Sequence, residues 1–105
     1  MPDPNLNYTG LATPLSGNVD RSILSLTGAS QALFAANPRR KRIIIKNGAT
    51  TLGLNLTGGT AVIGGAGTIT LLAYEGIVFS EDDCPKNAMT VIGPALNYVS
   101  AFEGF

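Results

Sequence analysis

Ala35-Ala36-Asn37-Pro38-Arg39-Arg40-Lys41-Arg42-Ile43-Ile44-Ile45-Lys46-Asn47-Gly48 holds a loop, a cation run, a strand and a turn signal in fourteen residues. A Pro-marked loop leads into four consecutive cations, then three isoleucines, then an Asn-Gly pair. Ile is stiff at χ1 and packs well on a pleated surface, so residues 40–46 read as a strand. Three in a row predict cover on both faces at that point. Asn47-Gly48 is a favoured type I′ pair and predicts a hairpin into the next strand. That strand, residues 51–56, carries the cleanest alternation in the chain. Leu52, Leu54 and Leu56 fall on one face, Gly53 and Asn55 on the other.

Outward from this pair the same grammar continues. Short β-like runs at 21–26, 31–35, 60–63, 68–72, 76–79, 88–92 and 97–103 alternate with turn clusters such as Gly58-Gly59, Gly64-Gly65-Ala66-Gly67 and Gly93-Pro94. Runs this short, broken by turns, signal a sandwich or barrel. No helical period is sustained. The one local helix candidate, 31–36, is too short to stand alone and is followed by Pro38. The expected fold is all-β: a small antiparallel β-sandwich, jelly-roll-like or barrel-like, over residues 19–105. Its expected core includes Ile43, Ile45, Leu52, Leu54, Leu56, Leu71, Val78, Val91 and Val99.

Residues 1–18 read differently. Pro2, Pro4 and Pro14 each remove a backbone donor and fix φ, which disfavours helix and central strand. An extended N-terminal arm is expected there, with Leu6, Tyr8, Leu11 and Leu15 as apolar anchors on a neighbouring subunit.

The chain has 105 residues, enough for one domain. Charged residues make up 13%, against roughly 25% in an ordinary domain, and seven cations offset seven anions. Zero net charge favours association over solubility of an isolated copy. The segment 1–7 has no basic region or apolar run of a signal peptide, and no stretch has the length of a membrane span. The expectation is synthesis in a cytoplasm without membrane insertion.

Catalytic chemistry finds little to work with. The chain has no His, which excludes His-based nucleophilic triads, and no Ser-x-x-Lys spacing occurs. Gly59-Thr60-Ala61-Val62-Ile63-Gly64 has the two glycines of a P-loop, but Gly65 stands where Lys is required. One Cys and no His disfavour zinc, and no cofactor is expected. Cys84 has no partner for an intramolecular bridge. Its neighbours Asp82 and Asp83 should raise the thiol pKa.

Five of the seven cations lie in 39–46, at Arg39, Arg40, Lys41, Arg42 and Lys46. Four anions lie in 75–83, at Glu75, Glu81, Asp82 and Asp83. Four adjacent cations without interleaved aromatics make a poor nucleic-acid site. Complementary patches instead fix register and partner choice between subunits. Arg39, Arg40, Lys41, Arg42, Glu81, Asp82 and Asp83 therefore join the arm residues as candidate subunit contacts.

Residues 30–103 resemble small virion proteins of tailed bacteriophages. The resemblance rests on Ser30-Gln31-Ala32-Leu33, then Asn37-Pro38-Arg39-Arg40, then Ile43-Ile44-Ile45-Lys46-Asn47. Leu52-Gly53-Leu54-Asn55-Leu56-Thr57-Gly58-Gly59-Thr60-Ala61 follows, then Thr68-Ile69-Thr70-Leu71, a late strand at 88–92 and the closing Glu103-Gly104. It implies a non-enzymatic β-sandwich in a virion, a head decoration subunit before a neck, tail or fibre accessory. Its expected partners are copies of itself and other virion proteins such as the major capsid protein. A glycan-binding module for host attachment is the rival from another class.

Overall fold

The computed structural model describes residues 17–105. Eight strands follow in chain order: β1 (Asn18–Asp20), β2 (Gln31–Phe34), β3 (Arg42–Asn47), β4 (Leu52–Asn55), β5 (Thr68–Leu71), β6 (Gly76–Phe79), β7 (Met89–Ile92) and β8 (Val99–Gly104). They form two four-stranded sheets, ordered β1-β8-β3-β6 and β2-β7-β4-β5. All pairings are antiparallel. Each connection except β4–β5 crosses between the sheets, which is the winding of a jelly roll. The described residues contain no helix. The all-β sandwich expected from the turn spacing is the fold.

Alternation explains the core. Ile43 and Ile45 of β3, Leu52 and Leu54 of β4, Val91 of β7, and Val99 and Ala101 of β8 point between the sheets and are buried. β2 buries two adjacent residues, Leu33 and Phe34, because a bulge shifts its register against β7 between Ala32 and Phe34. Full burial of one such apolar side chain contributes about 1.5–3 kcal/mol.

Several expectations change. Asn47-Gly48 does not make a hairpin: β3 is already paired with β8 and β6, so the chain crosses to the other sheet. The Asn47 side-chain Nδ2 donates to the carbonyls of Thr50, Leu71 and Leu72 and holds that crossing. Residues 60–63 are no strand, because β5 and β7 occupy both edges of β4. Leu56 is only partly buried. Val78 is 61% exposed, since it pairs with the outward Ile44 and leaves Ile77 and Phe79 to face the core. Of the run 21–26, one isolated bridge forms, Ile23 to Val99. β1 begins at Asn18, inside the segment assigned to the arm.

Candidate functional site

The winding sorts the loops to two ends. The segments 21–30, 48–51, 72–75 and 93–98 gather where β3 ends; 35–41, 56–67 and 80–88 start from the end where β3 begins. The second group holds Arg39, Arg40, Lys41, Glu81, Asp82, Asp83 and Lys86. The first holds only Arg21 and Glu75. Both of those are engaged within the chain: Arg21 Nε donates to Glu103 Oε2 at 2.9 Å, and Glu75 Oε1 accepts from the Leu72 amide at 2.7 Å. With the exposed Lys46 near the end of β3, the sandwich therefore has one charge-rich end and one with few charges, termed the uncharged end.

At the charged end the cation run divides. Pro38 opens a turn in which Asn37 Oδ1 accepts from the Arg39 amide and the Asn37 carbonyl from the Arg40 amide. That turn leaves Arg39 outside and draws Arg40 in. Arg40 is fully buried. Its Nε donates to Glu103 Oε1 at 2.8 Å, its Nη1 to the Pro85 and Asn87 carbonyls, and its Nη2 to the Ala35 carbonyl. The guanidinium lies 5.1 Å from the centre of the Phe34 ring. Arg40 thus departs from the expectation of a surface contact. It binds two loops and β8 together from inside, because its planar fork satisfies several acceptors at once.

Glu103 is the residue that sequence reasoning missed. It alternates inward with Val99 and Ala101, opposite Ile43. Burial alone would raise its carboxyl pKa. Hydrogen bonds from Arg40, Arg21 and Asn37, with the Arg40 charge, outweigh that and hold it below the usual range. Only the even spacing from Val99 could have flagged it as inward-facing.

The other candidates stay near the surface. Arg39 and Arg42 are exposed, and Lys41 is half-buried. Arg39 lies 5.6 Å over the Phe105 ring. Asp82 and Asp83 are exposed and Glu81 half-buried; Asp83 Oδ1 accepts from the Ser80 amide. β3 and β6 are antiparallel neighbours in register Ile43 to Phe79, so the cation run and the acidic loop already adjoin in one chain. Among the described residues no three His, Cys, Asp or Glu side chains converge as a metal-binding group. Cys84 is buried. Burial is the main cause that raises its pKa, against the pull of Arg40 and Lys86; Asp83 adds to the rise. Leu6, Tyr8, Leu11 and Leu15 lie outside the described residues.

The uncharged end exposes apolar side chains. Leu24 is 84% and Leu96 81% exposed, and Leu72, Tyr74 and Tyr98 are open in other loops of the same end. Tyr74 and Leu96 adopt positive φ, 62° and 73°. Both tyrosines flank one turn: the Tyr74 amide donates to the Gly48 carbonyl, and the Gly48 amide to the Tyr98 carbonyl. At the same end a groove of about 450 Å³ is lined by Gly28, Thr51, Ile63, Ile92, Gly93 and Pro94. Its wall comes from the 56–67 loop folding back over β4. A Cβ placed on Gly53 would lie 3.0 Å from both Ile63 and Ile92.

No protein-family model matches this chain, and no curated protein does. Among solved structures, a chain from Bacillus endospore appendages, described as a novel family of disulfide-linked pili, is similar over 91% of this chain and 94% of its own length. The TM-score is 0.47 and the identity 16%, a likeness from which no functional conclusion follows.

Proposed function

We propose that this chain is a non-enzymatic structural subunit that works by burying its surface against copies of itself and neighbouring proteins. The observation that carries this reading is the division of the surface. One end exposes Leu24, Leu72, Tyr74, Leu96 and Tyr98 with almost no charge, and the other holds a mixed-sign cluster. Large apolar groups exposed in several loops of one end, on a chain of zero net charge, are poorly solvated and mark an interaction surface. The charged groups of the interior also have structural work: Glu103 is engaged by Arg40, Arg21 and Asn37.

Within that class the resemblance of residues 30–103 favours a tailed-phage virion, with head decoration before neck, tail or fibre. The partners are then further copies and a capsid protein, and avidity over many copies makes modest contacts strong. Sedimentation velocity and negative-stain microscopy of the full chain test the assembly reading. Oligomers or ordered assemblies are expected; a chain that stays monomeric and binds no particle overturns it. Gold labelling on virions tests the location.

A second reading draws on Tyr74 and Tyr98, two exposed rings beside one turn. Such a pair is a platform for a sugar ring, as a host-attachment module would need. Binding on a glycan array that is lost in Tyr74→Ala would favour it over pure assembly.

A further inference from the structure

We propose that the groove lined by Gly28, Thr51, Ile63, Ile92, Gly93 and Pro94 receives the segment preceding Gly17 of a second copy, so that subunits join charged end to uncharged end. The proposal rests on the assembly reading above and names its contact.

The first observation is where the chain leaves the sandwich. Gly17 exchanges two backbone hydrogen bonds with Phe105, at the end where β8 finishes and β3 begins. The groove residues Gly28, Thr51, Gly93 and Pro94 sit in the loops of the opposite end. Gly17 thus lies at the opposite end from the groove of its own copy, at the face that an adjoining copy's groove would meet in a head-to-tail row.

The second is reach. Leu6 precedes Gly17 by eleven residues, up to roughly 36–40 Å of extended chain. A six-residue strand such as β3 spans only about 20 Å. The segment can therefore pass well beyond the body of its own sandwich. Pro2, Pro4 and Pro14 each fix φ and remove a backbone donor, which disfavours helix and ladder pairing in that sequence.

The third is chemical match. The groove has no charged residue in its lining, and the segment before Gly17 has one, Asp3. Leu6, Tyr8, Leu11 and Leu15 are spaced apolar groups, and the groove has a volume of about 450 Å³, of the size that takes a few such side chains. A directional contact of this kind is heterologous and propagates as a ring or a filament.

The test uses the full chain carrying a photo-cross-linking residue at Leu11, mixed in equal parts as ¹⁵N-labelled and unlabelled protein. Mixed-isotope cross-links to peptides containing Ile63 or Ile92 are expected. Same-isotope cross-links alone, or cross-links to another surface, overturn the proposal. Sedimentation velocity adds a second reading. Leu11→Asp and Ile63→Asp should each weaken self-association at least tenfold, and the double variant should lose no more than the single ones. Ile63 is an exposed loop residue, and circular dichroism checks its fold; Thr51→Arg is the alternative block. If the single variants associate normally, the groove contact falls while the assembly reading stands. If the unaltered chain is monomeric and joins no particle, both fall.

Discussion

Arg40 and Glu103, sixty-three positions apart, form an ion pair of 2.8 Å with side chains 0% and 2% exposed. Breaking a buried pair on one side leaves a desolvated charge, whereas replacing both sides with apolar groups is often neutral. Glu103→Ala should therefore cost about 3–5 kcal/mol. The double replacement Arg40→Met, Glu103→Leu should recover a large part of it. Urea denaturation of the variants measures both.

The same carboxylate makes stability depend on acid. Its folded pKa lies below the unfolded one, so its contribution is present above the unfolded value, near 4.3, and is lost as pH falls through the folded value. The urea midpoint should fall on going from pH 6 to pH 3. Glu103→Gln should be less stable at pH 6 and show a flatter slope below about pH 4.

Leu54 and Val78 are opposite cases on two sheets. Leu54→Ala should cost about 2–5 kcal/mol, because the side chain is fully buried. Val78→Ala should cost less than about 0.5 kcal/mol unless a partner covers it. Thermal melts of the isolated chain separate the two.

Gly48 has no room for a side chain. An added Cβ would lie 2.6 Å from the Tyr98 carbonyl oxygen, a backbone atom that cannot swing away. Gly48→Ala should destabilise by about 1–3 kcal/mol, read from chemical denaturation.

Among the cations only the exposed ones should affect assembly alone. Arg39→Glu with Arg42→Glu should leave the melting curve nearly unchanged, since exposed charges contribute little to a monomer. Subunit association should weaken if the patch is a contact. A variant that assembles normally assigns these charges to guarding the surface.

Strands β2 to β8 were legible because their signals are local, whereas β1 fell in the arm and 60–63 had a strand's composition without an edge to pair with. The isoleucines of β3 and the alternate leucines of β4 need only a pleated sheet with one dry side. Pairing was not legible, because it depends on which edges are already taken. Asn47-Gly48 has the chemistry of a hairpin, yet β8 and β6 flank β3 and leave no place for β4. Val78 missed by one position of parity against Ile44. Arg40 looked like its neighbours in the cation run. Only the turn at Asn37-Pro38 and a carboxylate far along the chain turn it inward. The division into charged and uncharged ends emerges from winding, which no local window contains.

Gly17 and Phe105 hold each other by two backbone hydrogen bonds, 2.5 and 2.9 Å long. Because Gly17 and Phe105 lie side by side, the sandwich that they bound can be inserted into a loop, or permuted through a short linker between them, without opening its sheets. Either operation would leave the uncharged loop end facing away from the splice. A permuted or inserted form should therefore keep both sheets and still present the groove of Gly28, Thr51, Gly93 and Pro94 at its far end.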